Sequence, residues 1–222
     1  MSASRDLLVL DHPAVADRIA RIRDKETPVP VFRKLVEEIG VFLAYEATRG
    51  LPLRNERVET PLTDTTIQRI ATRPVVAPIL RAGLGLLPGF LQVVDDAVVA
   101  HLGFYRDPQS LVPVPYYANV PPELGDRHVF LLDPMLATGN SAVAALDALV
   151  ERGARTLTFI CLIAAPEGVR HVQRAHPSAS IVTCAVDAGL NDHAYIVPGL
   201  GDAGDRMFGS LTSVPAAVRS TS

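Results

Sequence analysis

The chain has 222 residues, 48% of them hydrophobic, 20% charged and only 5% aromatic, with a formal net charge of −3. That length and apolar content suit one compact domain and exclude a disordered chain, because enough surface can be buried to offset chain entropy. With 21 basic residues against 24 acidic ones there is no general positive field for a phosphate backbone, so a nucleic-acid partner is not expected.

Residues 1–11 carry one Arg but neither a long apolar core nor a small-residue cleavage site. The longest uncharged apolar stretch near the middle, 82–94, is broken by Pro88 and three Gly, and a membrane span needs about 20 such residues. No membrane crossing and a cytoplasmic location are therefore expected. Asp11 followed by Pro13 predicts a helix start, with the Asp11 carboxylate accepting orphan amides. Val15, Ile19 and Ile22 then recur at helical spacing. A second helix is predicted over 31–48, with Leu35, Val36, Ile39, Phe42 and Leu43 on one stripe and Gly50 closing it. This helical segment, 1–50, carries no obvious chemistry and reads as packing or subunit contact.

From residue 74 onward, continuous apolar runs such as VVAPIL, HVFLLD, TLTFICLIAA and SIVTCAVD alternate with helical segments. That alternation predicts an α/β fold, a mostly parallel twisted sheet with helices on both faces. Such sheets bind ligands at the carboxyl ends of their strands, here after Leu80, after Leu132 and near the C-terminal end. One non-periodic insertion, 107–126, holds five Pro and two Tyr; it reads either as a stiff surface arm or as a hood over a site. Cys161 and Cys184 sit in apolar runs, which favours buried, reduced thiols over a disulfide or a catalytic pair.

The strongest local pattern is residues 128–152, HVFLLDPMLATGNSAVAALDALVER. A buried strand ends in Asp133, a small-residue turn follows, and a helix begins near Ser141, which is expected to cap it. Strand, turn and helix start gather backbone N–H groups and the positive end of a helix dipole around one point, an anion site suited to a terminal phosphate. Thr138 and Ser141 add hydroxyl donors, and Gly139 lets backbone approach closely. Asp133, repelled by phosphate, is better used accepting from sugar hydroxyls.

The stretch LLDPMLATGNS resembles the phosphoribosyl diphosphate (PRPP) loop of the type I phosphoribosyltransferases. That pattern has two acids before the Thr-Gly turn; here Pro134 replaces the second, and the DPMLATG form is similar to the uracil branch of the family. Asn140 stands where the branch usually has Gly, and since Asn tolerates a left-handed backbone, that shape is expected at 140. The resemblance implies that Asp133, Pro134, Met135, Leu136, Ala137, Thr138, Gly139, Asn140 and Ser141 form the PRPP loop. PILRAGLG resembles the family's diphosphate loop, often with a strained peptide at that point, and makes Arg81 a diphosphate ligand. Arg106, in GFYRDP, matches a second PRPP-contacting Arg. GLGDAG fits G-x-G-x-x-G, yet only 18 residues follow Gly204, too few for the helix and the acidic ribose ligand about 20 residues on that a dinucleotide site needs. YIVPGLGDAGDRMFG instead resembles the family's base-binding ending, over 195–209. It implies main-chain contacts to uracil from Ile196, Gly201 and Ala203, with Asp202 directed towards PRPP.

The resemblance implies one phosphoribosyltransferase domain over 1–222 that transfers ribose 5-phosphate from PRPP to N1 of uracil, giving UMP and diphosphate in pyrimidine salvage. Arg81, Arg106 and Asp202 would be the catalytic residues. Mg²⁺ is expected to arrive with PRPP, since the six His show no metal spacing and no carboxylate cage is evident. GxSxG and GxxxxGK[ST] motifs are absent from the chain. The alternative is a PRPP- or nucleotide-sensing, or RNA-binding, regulator on the same fold. The apolar N-terminal helices suggest a homo-oligomer. Some relatives respond to GTP, which makes GTP a candidate effector that no motif here decides.

Overall fold

The structure, a computed structural model, describes residues 7–106 and 113–209. β1 (Leu7–Val9) leads into α1 (Pro13–Arg23) and α2 (Val29–Ala47). The cap of α1 is His12 rather than Asp11. With Pro13 first in the helix, the amide needing an acceptor is that of Ala14, and His12 Nδ1 accepts it at 3.1 Å. α2 starts two residues earlier than expected because Pro30 fits a first turn, where its missing N–H costs nothing. It ends at Thr48, whose hydroxyl donates to the Ala44 carbonyl at 2.7 Å.

A hairpin follows, β2 (Leu53–Glu59) against β3 (Asp64–Ile70). Periodicity did not reveal it because most of its residues are exposed, so no buried face imposes alternation. Next come β4 (Val75–Leu80), a 3₁₀ turn (Ala82–Gly85), α3 (Leu87–Val93), β5 (Val98–Val99), β6 (His101–Arg106) and β7 (Pro113–Asn119). The second half of the 107–126 insertion is thus partly regular, since β7 pairs antiparallel with β6. The remainder of the expected hood, 107–112, lies outside the described residues.

The rest alternates as the apolar runs predict: β8 (His128–Leu132), β9 (Met135–Leu136), α4 (Asn140–Val150), β10 (Thr156–Ile160), β11 (Ile163–Ala164), α5 (Pro166–Ala175), β12 (Ser180–Thr183) and β13 (Ala185–Val186). β14 (Gly189–Leu190), β15 (Ile196–Val197) and α6 (Ala203–Phe208) close the described chain.

The main sheet runs β1-β12-β10-β8-β4-β6-β7, with β5 also on β4, and only the β6–β7 pair is antiparallel. Alternate residues of each strand enter different cores, as a two-residue period demands. Val76, Phe130, Ile160 and Val182 pack with α1, α2, α3 and α6, whereas Val75, Leu131, Phe159 and Ile181 pack with α4 and α5. Strands successive in sequence spread to opposite sides of the β4–β8 pair, which makes the ends of those two strands the topological switch point where α/β sheets bind ligands. Among the described residues no helix is long and apolar enough to cross a membrane. Cys161 and Cys184 are buried and free, as their apolar settings predicted.

Candidate active site

Beyond the switch point lies a cleft of roughly 380 Å³, lined by Ala82, Asp133, residues 135–142, residues 193–196 and residues 201–204. Three segments distant in sequence therefore meet at the ends of β4 and β8. Gly83 makes their approach possible: a Cβ there would sit 2.4 Å from the Leu132 carbonyl oxygen. The Leu80–Arg81 peptide is cis. Arg81 itself is exposed, its guanidinium 6.0 Å from the Phe208 ring centroid, so its neighbour Ala82 rather than Arg81 forms the cleft wall. Arg106 ends β6, opposite Pro113 of β7; its side chain lies outside the described residues.

The loop after β8 is shaped mainly by the chain around it. Met135 and Leu136 pair with Ile163 and Ala164, and Pro134 is buried with its carbonyl accepting from the Leu162 amide at 2.9 Å. Pro134 thus supports the loop from below and is not part of the cleft wall. Gly139 is left-handed, φ 84°, and is itself the N-cap of α4. Asn140 is consequently the first helical residue, not a left-handed one, because Gly139 makes the turn that Asn140 was expected to share. Ser141 lies in that first turn and does not cap it; the Asn140 amide instead meets the Thr138 hydroxyl at 3.4 Å. Since first-turn amides lack helical acceptors, Ser141 and Ala142 bring further amide donors to the cleft. α5 backs the loop: His171 Nδ1 lies 2.9 Å from the Thr138 carbonyl oxygen, and a Cβ on Gly168 would strike the Ala137 oxygen at 2.4 Å.

Asp133 stands at the floor. Burial pushes its carboxyl up to about 7; the Met135 amide opposes this, and the negative charge of Asp202 adds to it. Asp202 caps α6, its Oδ1 accepting from the Asp205 amide at 2.9 Å. Ile196 and Ala203 are buried, Gly201 is left-handed at φ 76°, and the Val197–Pro198 peptide is cis. His193, Ala194 and Tyr195 also line the cleft. Sequence reasoning missed them because their place depends on a turn through Ala194, whose φ of 61° is unusual for a residue with a side chain.

The uracil phosphoribosyltransferase family model matches residues 9–210. The chain belongs to the uracil phosphoribosyltransferase family. It is 52% identical over 203 residues to a uracil phosphoribosyltransferase of Geobacillus kaustophilus, covering 91% of this chain and 97% of that one. A Lactococcus lactis enzyme of the same name is 49% identical over 205 residues, covering 91% and 97%. A solved Aquifex aeolicus protein superposes with TM-score 0.88 at 36% identity, covering 91% of this chain and 98% of that one. An adenine phosphoribosyltransferase of Trypanosoma brucei, 9% identical with TM-score 0.56 over 87% of this chain and 89% of its own, shares the fold alone. As a family member the chain is an enzyme of the phosphoribosyl-transferring class. The alternative of a regulator on the same fold gains no support from these relatives.

Proposed function

We propose that the chain is one domain that transfers the ribose 5-phosphate unit of PRPP to N1 of uracil, giving UMP and diphosphate. The observation that carries this reading is the meeting of the phosphate loop, the Arg81 turn and the 196–204 segment in one cleft at the switch point, in a chain of this family. The first turn of α4 takes the 5-phosphate, with Thr138 and Ser141 adding hydroxyls. Asp133, ionised or sharing a proton, accepts from the ribose hydroxyls. The carbon–diphosphate bond breaks largely before the base bonds, so positive charge grows on the sugar and negative charge on the leaving group. Arg81 and Arg106 stabilise that leaving charge.

The cleft also suits a divalent cation carried by PRPP. Asp133 and Asp202 are close enough for one to shift the other's proton affinity, while no group of three or more His, Cys, Asp or Glu gathers among the described residues. Two carboxylates beside diphosphate oxygens are a donor set Mg²⁺ accepts, and the ion would offset diphosphate charge. Ile196, Gly201 and Ala203 offer main-chain groups to uracil. Cytosine presents a donor where uracil presents an acceptor, which leaves buried amides unpaired. Residues 107–126 act as a hood that excludes water from PRPP. The enzyme is read as a cytoplasmic homo-oligomer with GTP as candidate effector, to be tested by initial rates with and without GTP across enzyme concentrations.

With Mg²⁺, PRPP and labelled uracil, the purified protein is expected to release UMP and diphosphate. Inactivity with uracil alongside acceptance of orotate or a purine would overturn the proposal.

A further inference from the structure

We infer that Arg23 and Asp187 form a positioning clamp that sets affinity for the base without touching it. The inference rests on the uracil reading of the 196–203 segment. Beyond Val197 that segment leaves the β14–β15 ladder and passes through two left-handed glycines, Gly199 at φ 65° and Gly201 at φ 76°. No strand pairing holds it there, yet a base read by main-chain groups is only as well placed as the main chain.

At Gly199 an ion pair supplies the hold, one residue before the Leu200 carbonyl that Arg206 holds at 3.0 Å. Arg23 Nη2 donates to Asp187 Oδ1 at 2.6 Å and Nη1 to Oδ2 at 2.8 Å. The same Nη1 donates to the Gly199 carbonyl at 2.8 Å, while Asp187 Oδ2 accepts from the Gly199 amide at 2.9 Å. Both backbone groups of a single left-handed residue are thus gripped by one fork. Asp187 is itself fixed, its amide donating to the Ala164 carbonyl at 2.8 Å, and its carboxylate is only 5% exposed. Neither side chain lines the cleft. Charge-assisted, bidentate bonds of this kind add geometric definition as well as energy, and a Lys cannot reproduce the fork.

A positioning role separates from a merely structural one by which substrate suffers. Arg23→Gln is expected to raise the KM for uracil about tenfold while kcat and the KM for PRPP stay within about twofold. Asp187→Asn should do the same, and the double variant should cost little more than the worse single one, since the two residues act as a unit. Arg23→Lys, which keeps the charge, should fold even where the Gln variant does not, and should raise the uracil KM by an intermediate factor. Equal rises in both KM values, or an unchanged uracil KM in the Lys and Asn variants, would overturn the clamp. A wild-type protein that does not convert uracil at all would instead remove the reading beneath it.

Discussion

Within the cleft, the proposed phosphate loop and the proposed base-binding segment are held in different ways. Residues 133–141 run as one strand, turn and helix, with a left-handed Gly139 at the pivot, and are braced by the next strand and helix in sequence, β11 and α5. Residues 196–208 are held by groups far away in sequence. Arg23 of α1 grips Gly199, Arg33 of α2 donates to the Met207 carbonyl, and Arg206 reaches the carbonyls of Ile22, Asp24 and Leu200 while its guanidinium lies 4.3 Å from the Phe32 ring centroid. On the proposed reading, a site for a phosphate comes with the strand–helix unit, whereas a site for a particular base is fastened to the scaffold from outside.

If that contrast holds, the two kinds of residue should fail differently. Arg81 is an exposed contact on a local turn, so Arg81→Ala should cut kcat/KM by about 10³ while the melting temperature barely moves. A turnover within tenfold of wild type would show that Arg81 is misassigned. Arg206 is a remote tie, and Arg206→Met removes a donor from three carbonyls, of which only that of Asp24 keeps another, the Thr27 amide at 3.1 Å, so the protein should lose on the order of 2 kcal/mol in denaturant unfolding. A loss below about 0.5 kcal/mol would erase the distinction between the segments.

The smallest effect lies where the two regions touch. Burial, reinforced by Asp202, pushes Asp133 up to about 7, against an unfolded value near 4. The folded state therefore binds that proton more tightly, so wild-type stability from this group is full below about pH 4 and is lost as pH rises towards 7. Asp133→Asn removes the titration. Its unfolding free energy in denaturant should exceed that of wild type above pH 7, by on the order of 1 kcal/mol after solvent screening of this half-buried carboxyl, and the gain should vanish near pH 4. Parallel profiles for the two proteins would refute the raised carboxyl.

The same contrast explains what the sequence made legible. The 128–152 pattern and the strand ends after Leu80 and Leu132 could be read because their information is contiguous: apolar run, turn residues, helix. Detail failed where neighbours compete for one role. His12 displaced Asp11 as a cap, Gly139 took the left-handed turn expected at Asn140, and Pro134 went beneath the loop. The exposed β2–β3 hairpin escaped for want of a buried face. Arg23, Asp187 and Arg206 were illegible for a deeper reason. An Arg among Asp and Glu on an amphipathic helix looks like any solvated charge until the fold brings a carbonyl 176 positions away into reach.

Cys161 and Cys184, one strand apart in the sheet, have a use unrelated to catalysis. Burial pushes the Cys161 thiol up to about 12 and raises Cys184 as well, so the folded molecule presents almost no thiolate to an alkylating reagent. Labelling must wait for the sheet to part between β10 and β12. Asp133 is close enough to Cys161 for its charge to raise that thiol, so an opening that exposes Cys161 lies beside the floor of the cleft. The rate at which Cys161 becomes reactive therefore times openings of the sheet beside the cleft.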